Sequence, residues 1–391
     1  MSRSRKRPVA VLYGTRPEAV KMAPVIKALQ ASETLRPVIV TSGQHREMLD
    51  QVNELFGIVP DHDLDIFRHG QGLEAMTAAA VSGYSAFLAT HPVDAVIVQG
   101  DTTSAFAGAL AAYYRQTPVV HVEAGLRTGD LYSPFPEEGN RKLVGVLAAV
   151  HCAPTSTAAR NLYAEGVPRE RVTVTGNTVI DALLHTATLR RATGDRLVDA
   201  AISSGRRIVV VTAHRRESWG AGLGEIGAAV ARVAVSQPDV LVVVPLHRNP
   251  LVREVLVPVL RELPNVRMIE PLGYAPFCHL LAHATVVVTD SGGIQEEAPA
   301  LDVPVVVTRE TTERPEAVAA GAAVLVGTDQ DKIVRTVRAL LTDESRHAAM
   351  ASAPNPFGDG RAAARIIAAV EASTRQGAES GVTPLDLVRA S

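Results

Sequence analysis

The sequence predicts an α/β protein built from two doubly wound parallel sheets. Three observations carry this. Short Val- and Ile-rich runs recur from one end of the chain to the other, Ala- and Leu-rich stretches of helical length separate them, and aromatic residues make up only 4% of a chain that is 47% hydrophobic. Continuous apolar strands bounded by turns belong to sheets covered on both faces by helices. At 391 residues the chain is long enough for two such domains. Its apolar content excludes a largely disordered chain, and its few aromatics argue against an aromatic-rich binding sandwich.

Taken in order, the strands expected in the first half are Pro8–Gly14, Arg36–Thr41, Ala95–Asp101, Pro118–Ala124, Val150–Thr155 and Arg171–Thr175. Helical patterns such as Ala19–Gln30 and Ala105–Arg115 lie between them. The second half repeats the grammar with Arg207–Thr212, Leu241–Pro245, Val266–Glu270, Thr285–Asp290, Pro304–Thr308 and Ala322–Val326. Two sets of about six strands predict two Rossmann-like domains. Their seam is expected near Gly176–Asn177, giving domains over 1–176 and 177–360. A helical pattern over about 361–380 is expected to cross back to the first domain.

The formal net charge is −2 with both signs interspersed, so no basic field draws the protein to nucleic acid or to an anionic membrane. The one basic run, Arg3, Arg5, Lys6 and Arg7, reads as a solvated tail. Cys152 and Cys278 are distant from each other and set in apolar surroundings, which predicts two buried free thiols. No His spacing suits zinc, so no metal is expected. No apolar run approaches the ~20 residues that span a bilayer, and the basic start lacks the apolar core of a secretory signal. A soluble cytoplasmic protein is the expectation.

Ligands of doubly wound sheets bind beyond the carboxyl ends of the strands, so the residues that follow each strand are the informative ones. The first strand ends in Gly14-Thr15-Arg16-Pro17-Glu18, with Lys21 one turn further on. This is not the glycine fingerprint of a dinucleotide cofactor. Arg16 and Lys21 near a helix N-terminus oppose the helix dipole, which points to an anion between them; surface ion pairs are the plainer alternative. In the second half, Thr289-Asp290-Ser291-Gly292-Gly293 enters a helix that carries Glu297. Ser291 as cap and two glycines make an anion site, with Glu297 in reach of an adjoining sugar; an ordinary capped helix is the alternative.

Three acids stand at strand ends of the first half: Asp101, Glu123 in VVHVEAG, and Glu137 in SPFPEEGN. An acid in an apolar run is hard to explain by solvation, and three on one sheet edge point to acid–base chemistry. Thr212-Ala213-His214-Arg215-Arg216 ends the first strand of the second half, and His214 is expected to face an interdomain cleft. Arg314, in the loop before Pro315, adds a further cation.

These residues lie in motifs that resemble a known family. GTRPEAVKMAPV, TSGQHREMLDQV, QGDTTS, HVEAGLRTGDLYSPFPEEGNR, GNTVIDAL, TAHRRES, TDSGGIQEEAP, TTERPEA and NPFGDG resemble, in order, the motifs of bacterial non-hydrolysing UDP-N-acetylglucosamine 2-epimerases, from about Val9 to Val370. The resemblance implies a GT-B-like architecture with a UDP-sugar in the interdomain cleft, no cofactor, and commonly a homodimer. It places Asp101, Glu123, Glu137 and His214 at catalytic positions and Arg16 and Lys21 at binding positions. Ser291, Gly292, Gly293, Glu297 and Arg314 fall at the nucleotide site, with Phe277 near the uracil. Some members are activated by their own substrate, and Gln44, Gln71, Arg215 and His247 are the candidates for such a site. Two other readings stay open: a hydrolysing relative that releases free N-acetylmannosamine, and a GT-B glycosyltransferase.

Overall fold

The computed structural model describes residues 6–43, 46–66, 70–215 and 220–379. The chain divides into two units, Met1–Ala182 with Phe357–Ser391, and Leu183–Pro356. The division falls inside the helix Thr178–Thr188, a few residues beyond the Gly176–Asn177 seam expected from the sequence.

The first unit is built on a parallel sheet of seven strands: β1 (Arg7–Tyr13), β2 (Leu35–Thr41), β3 (His62–Asp63), β4 (Ala95–Gln99), β5 (Val119–Val122), β6 (Val150–Ala153) and β7 (Val172–Val174). Their order is β3-β2-β1-β4-β5-β6-β7. The strands are rich in Val, Ile, Leu and Ala, and Val9–Tyr13 and Ala95–Gln99 are buried along their whole length. Burying each such Val contributes roughly 1.5–3 kcal/mol relative to exposure. The helix Thr103–Tyr114 presents Ala105, Ala107, Ala109, Ala111 and Ala112, all fully buried, so its backbone rides close on the sheet. A Cβ at Gly108 would stand 2.9 Å from Leu12 and 3.3 Å from Val98, which leaves no room for a larger residue. The helix Ala362–Glu379 packs on Arg16–Ala31, where Glu371 accepts from Ser32 at 3.2 Å and Thr34 at 2.6 Å.

The second unit is a parallel sheet of six strands: β8 (Ile208–Thr212), β9 (Leu241–Pro245), β10 (Val266–Ile269), β11 (Val286–Thr289), β12 (Val305–Val307) and β13 (Ala323–Leu325), in the order β10-β9-β8-β11-β12-β13. Its core joins the strand valines to Leu223, Ile226 and Val230 on one helix and Ile333, Val337 and Leu340 on another.

Both orders reverse at one point, between β1 and β4 in the first sheet and between β8 and β11 in the second. Chains leave such a point in opposite directions and open a crevice beyond the strand ends. β2, β8 and β9 end where expected, while the other expected strands stop one or two residues earlier because their last residues turn away into loops. Glu123, expected inside a strand, lies one residue past β5 with φ at +65°, and Gly100 follows β4 with φ at +68°. β3, only two residues long, was not expected at all.

Candidate functional site

In the first unit the residues gather around Glu123. Its side chain is largely buried, and Lys21 Nζ lies 2.7 Å from each of its carboxylate oxygens. Gln99, the last residue of β4, donates to Oε2, and Asn177 donates to Oε1 at 3.1 Å. A carboxyl that accepts from three neighbours is held as the carboxylate. The left-handed backbone at Glu123, rare outside glycine, turns its side chain back towards Gln99 and Lys21; such strain is found at functional sites.

The start of the helix that carries Lys21 is itself fixed. Thr15 and Glu18 cap the helix Arg16–Ala31 reciprocally, and the fully buried Glu18 also accepts from Gly14 N at 3.0 Å and from Thr102 Oγ1 at 2.6 Å. That last bond joins the first turn of the helix after β1 to the loop after β4. Gly14 is required by close approach, since a Cβ there would stand 2.0 Å from Ser42 Oγ and 2.5 Å from Ser104 Oγ.

Asp101 follows Gly100 in the loop after β4. Arg141 pairs with its carboxylate and also reaches the fully buried Glu138 at 3.2 Å, while Asn140 holds its backbone carbonyl at 2.9 Å. Burial raises the Asp101 carboxyl most strongly; Arg141 opposes this, Glu123 adds to it, and the net result lies above the ordinary carboxylate value. Two nearby carboxyls thus sit in different environments, one saturated by a lysine and amides, the other pushed towards its neutral form. Glu137 begins the helix Glu137–Leu147, one turn before Arg141, and is half-buried. Arg16 is exposed in the first turn of its helix. Among the described residues no hydrogen bond or ion pair joins Glu137 or Arg16 to this network.

In the second unit the site residues surround Asp290, which directly follows β11 and is completely buried. Its Oδ2 accepts from the backbone N–H of His214 at 2.7 Å and of Arg215 at 2.8 Å, and His214 Nδ1 lies 3.1 Å from Oδ1. Burial alone would raise the Asp290 carboxyl, but the His214 ring and these backbone bonds outweigh it and hold it below the ordinary range. His247, in the loop after β9, stacks on His214 with ring centroids 5.5 Å apart. Arg215 lies 3.9 Å from Glu313 and comes within 3.6 Å of where a Cβ on Gly292 would stand.

Ser291 occupies the cap position of the helix Gly292–Glu297, but its hydroxyl makes no capping bond, contrary to the expectation. Its backbone N–H instead donates to Thr289 Oγ1 at 2.9 Å. Gly293 is exposed with open space where a side chain would be. Glu297 faces the Tyr274–Cys278 segment of the neighbouring helix, which also carries the half-buried Phe277. Arg314 pairs with Glu296, the neighbour of Glu297. Gln71 is half-buried in the first unit, and Gln44 lies outside the described residues. Both cysteines are buried free thiols. Among the described residues there is no cluster of His, Cys, Asp and Glu suited to a metal, and no helix is long and apolar enough to cross a membrane.

Sequence reasoning missed Asp290, Asn177, Gln99 and Arg141. The amides carry no charge to draw attention, Asp290 reads as part of a helix entry, and Arg141 lies a full turn inside a helix. The available signal was position: Gln99 ends β4, Asp290 directly follows β11, and Asn177 lies in the short loop after β7.

A family model described as UDP-N-acetylglucosamine 2-epimerase matches residues 27–371. The chain belongs to this family. The UDP-N-acetylglucosamine 2-epimerase of Escherichia coli strain K12 is 49% identical over 368 residues, covering 93% of this chain and 98% of that one. The crystal structure of a UDP-N-acetylglucosamine 2-epimerase from Neisseria meningitidis, bound to UDP-N-acetylglucosamine, superposes with a TM-score of 0.81 at 44% identity, over 93% of this chain and 99% of that one. A further UDP-N-acetylglucosamine 2-epimerase structure gives a TM-score of 0.86 at 42% identity, over 93% and 95%. Like these members of the epimerase family, the chain has a GT-B-like fold of two parallel-sheet units. Within that fold Asp101 follows β4, and His214 and Asp290 follow β8 and β11, at the switch points of the two sheets, while Glu123 follows β5, the strand next to β4.

Proposed function

We propose that the protein interconverts UDP-N-acetylglucosamine and UDP-N-acetylmannosamine without hydrolysing either. The observation that carries this reading is the pair of unlike carboxyls, Glu123 held as the carboxylate by Lys21 and Asp101 raised towards its neutral form. Two titratable groups pushed apart by their surroundings suit a proton taken by one and given by another. The Neisseria relative bound to the sugar nucleotide supports a UDP-sugar as substrate.

The C2 proton of a hexosamine is not next to a carbonyl, so a carboxylate cannot remove it directly. Breaking the anomeric C1–O bond first, with the bonding pair leaving on UDP, creates an oxocarbenium ion and acidifies C2–H. A carboxylate then takes that proton and leaves 2-acetamidoglucal. An acid delivers a proton to the opposite face of C2 while a UDP oxygen re-forms the C1–O bond. The departing diphosphate needs positive partners; His214, Arg16, Arg314 and the backbone of Gly292 and Gly293 are assigned to it. Phe277 is assigned to the uracil and Glu297 to the ribose. Glu137, at the head of its helix, is assigned to the sugar with Asp101 and Glu123. The site operates with no cofactor, and the protein acts as a homodimer in the cytoplasm.

Proton NMR of the purified protein with UDP-N-acetylglucosamine tests the reading. UDP-N-acetylmannosamine should form and reach equilibrium. Stoichiometric UDP with free N-acetylmannosamine would establish the hydrolysing reaction instead, and sugar transfer to an added acceptor would establish a transferase.

A further inference from the structure

We propose that Asn177 is a positioning residue for Glu123, and that it fastens this carboxylate to the two segments where the chain leaves the first unit and returns to it. The inference rests on the proposed reading of Glu123 as a proton-transfer group. The chain leaves the first unit after Ala182 and re-enters at Phe357. Just before the exit, the buried Asn177 makes three bonds at once. Its backbone N–H donates to the Phe357 carbonyl at 2.6 Å, its Oδ1 accepts from Val179 N at 3.2 Å, and its Nδ2 donates to Glu123 Oε1 at 3.1 Å.

The surrounding backbone makes this tie rigid. A Cβ at Gly176, whose φ is +88°, would stand 3.2 Å from Gly358 Cα, so the outgoing and returning strands touch backbone to backbone. One turn further along, Asp181 accepts from the N–H groups of Ala362 at 3.1 Å and Ala363 at 2.9 Å, which holds the start of the returning helix Ala362–Glu379. Only a side chain with an acceptor and a donor on one planar group can satisfy Val179 and Glu123 together. Aspartate keeps the acceptor but sets a second carboxyl against Glu123, and serine can cap the helix without reaching the acid.

Three other titratable groups bear on Glu123: Lys21 from the helix Arg16–Ala31, Asp101 from the loop after β4, and His121 from β5, with the neutral Gln99 beside them. Lys21 favours its charged form, Asp101 opposes it, and burial keeps His121 neutral with a pKa lowered to about 3. Replacing the amide at 177 by a carboxyl therefore leaves Lys21 to be shared between two acids, and the titration of the pair moves upward.

The test uses the full chain with Asn177→Asp and Asn177→Ser, assayed at a temperature where each remains folded. We expect Asn177→Ser to lower kcat about 10- to 100-fold with KM for the sugar nucleotide changed less than about threefold. Asn177→Asp should move the acid limb of the kcat/KM profile up by about one pH unit. The Glu123 carboxyl, followed by carbon-13 NMR and assigned with Glu123→Gln, should titrate higher in Asn177→Asp than in the wild type. Wild-type kcat in Asn177→Ser, or an unshifted Glu123 titration in Asn177→Asp, overturns the proposal. Because the NMR titration needs no turnover, a wild type inactive on UDP-N-acetylglucosamine would refute the functional reading while the tie itself is still decided.

Discussion

Lys21 and Glu123 form a two-pronged ion pair, with the lysine nitrogen 2.7 Å from both carboxylate oxygens. The sequence places Lys21 with Arg16 as partners of a phosphate, yet the structure turns it to the acid. Replacing Lys21 by Met strands a largely buried carboxylate. Removing one partner of a fully buried pair costs about 3–5 kcal/mol, and the partial exposure of Lys21 reduces this to about 1–3 kcal/mol of stability. The account predicts a fall in kcat on the order of 10²-fold or more, measured by initial rates beside thermal melts. A rise confined to KM, with kcat intact, would return Lys21 to a purely phosphate-binding role.

Arg141 restrains the Asp101 carboxyl from rising further. Removing that cation as Arg141→Gln takes away an attraction to the ionised form, so the carboxyl's pKa increases. The alkaline limb of the kcat/KM profile, along which a proton-donating Asp101 loses its proton, should therefore shift to higher pH. Rates measured from pH 4 to 9 below both melting temperatures decide this; a limb that stays in place removes Asp101 from the proton-transfer step.

Asp290 offers a prediction about stability. Its folded carboxyl lies below the ordinary value of about 3.9, so the stabilisation it brings is present above that value. It is lost as the pH falls through the lower, folded pKa. Asn cannot accept charge-assisted bonds from His214 and Arg215, and Asp290→Asn should cost about 2 kcal/mol at pH 7. The gap between wild type and variant should narrow in strong acid. Urea unfolding at several pH values reads it directly, and a constant gap would show that the charge of Asp290 is not what matters.

Much of this was legible before the structure, and the reasons are physical. Parallel strands must be apolar on both faces, so runs such as VVHV and AVIVQ announce themselves, and loops at their ends must carry the chemistry. The pairings were not legible. Nothing in the spacing says that Lys21 swings to Glu123 instead of staying at its helix end, because that depends on the left-handed turn at Glu123, far away in sequence. Asn177 and Phe357 both belong to the first unit but are separated in sequence by the whole of the second, so nothing local in the sequence announces their bond. β3 pairs only two residues and leaves no periodic pattern to detect.

The candidates for substrate activation include two residues beside His214: His247 stacks on its ring, and the backbone N–H of Arg215 shares with that of His214 the carboxylate of Asp290. An effector that touches them can alter His214 directly. The account predicts slow turnover of UDP-N-acetylmannosamine alone and acceleration when a trace of UDP-N-acetylglucosamine is added. Full speed without that trace, followed by a coupled assay, would exclude activation.

The central claim is that C2–H is surrendered to an enzyme carboxylate after UDP departs. Epimerisation of UDP-N-acetylglucosamine in D₂O, read by proton NMR and mass spectrometry, tests it most directly. The account predicts deuterium at C2 of the UDP-N-acetylmannosamine formed, with a small amount of free UDP accumulating. Product that retains its original proton at C2 would contradict it.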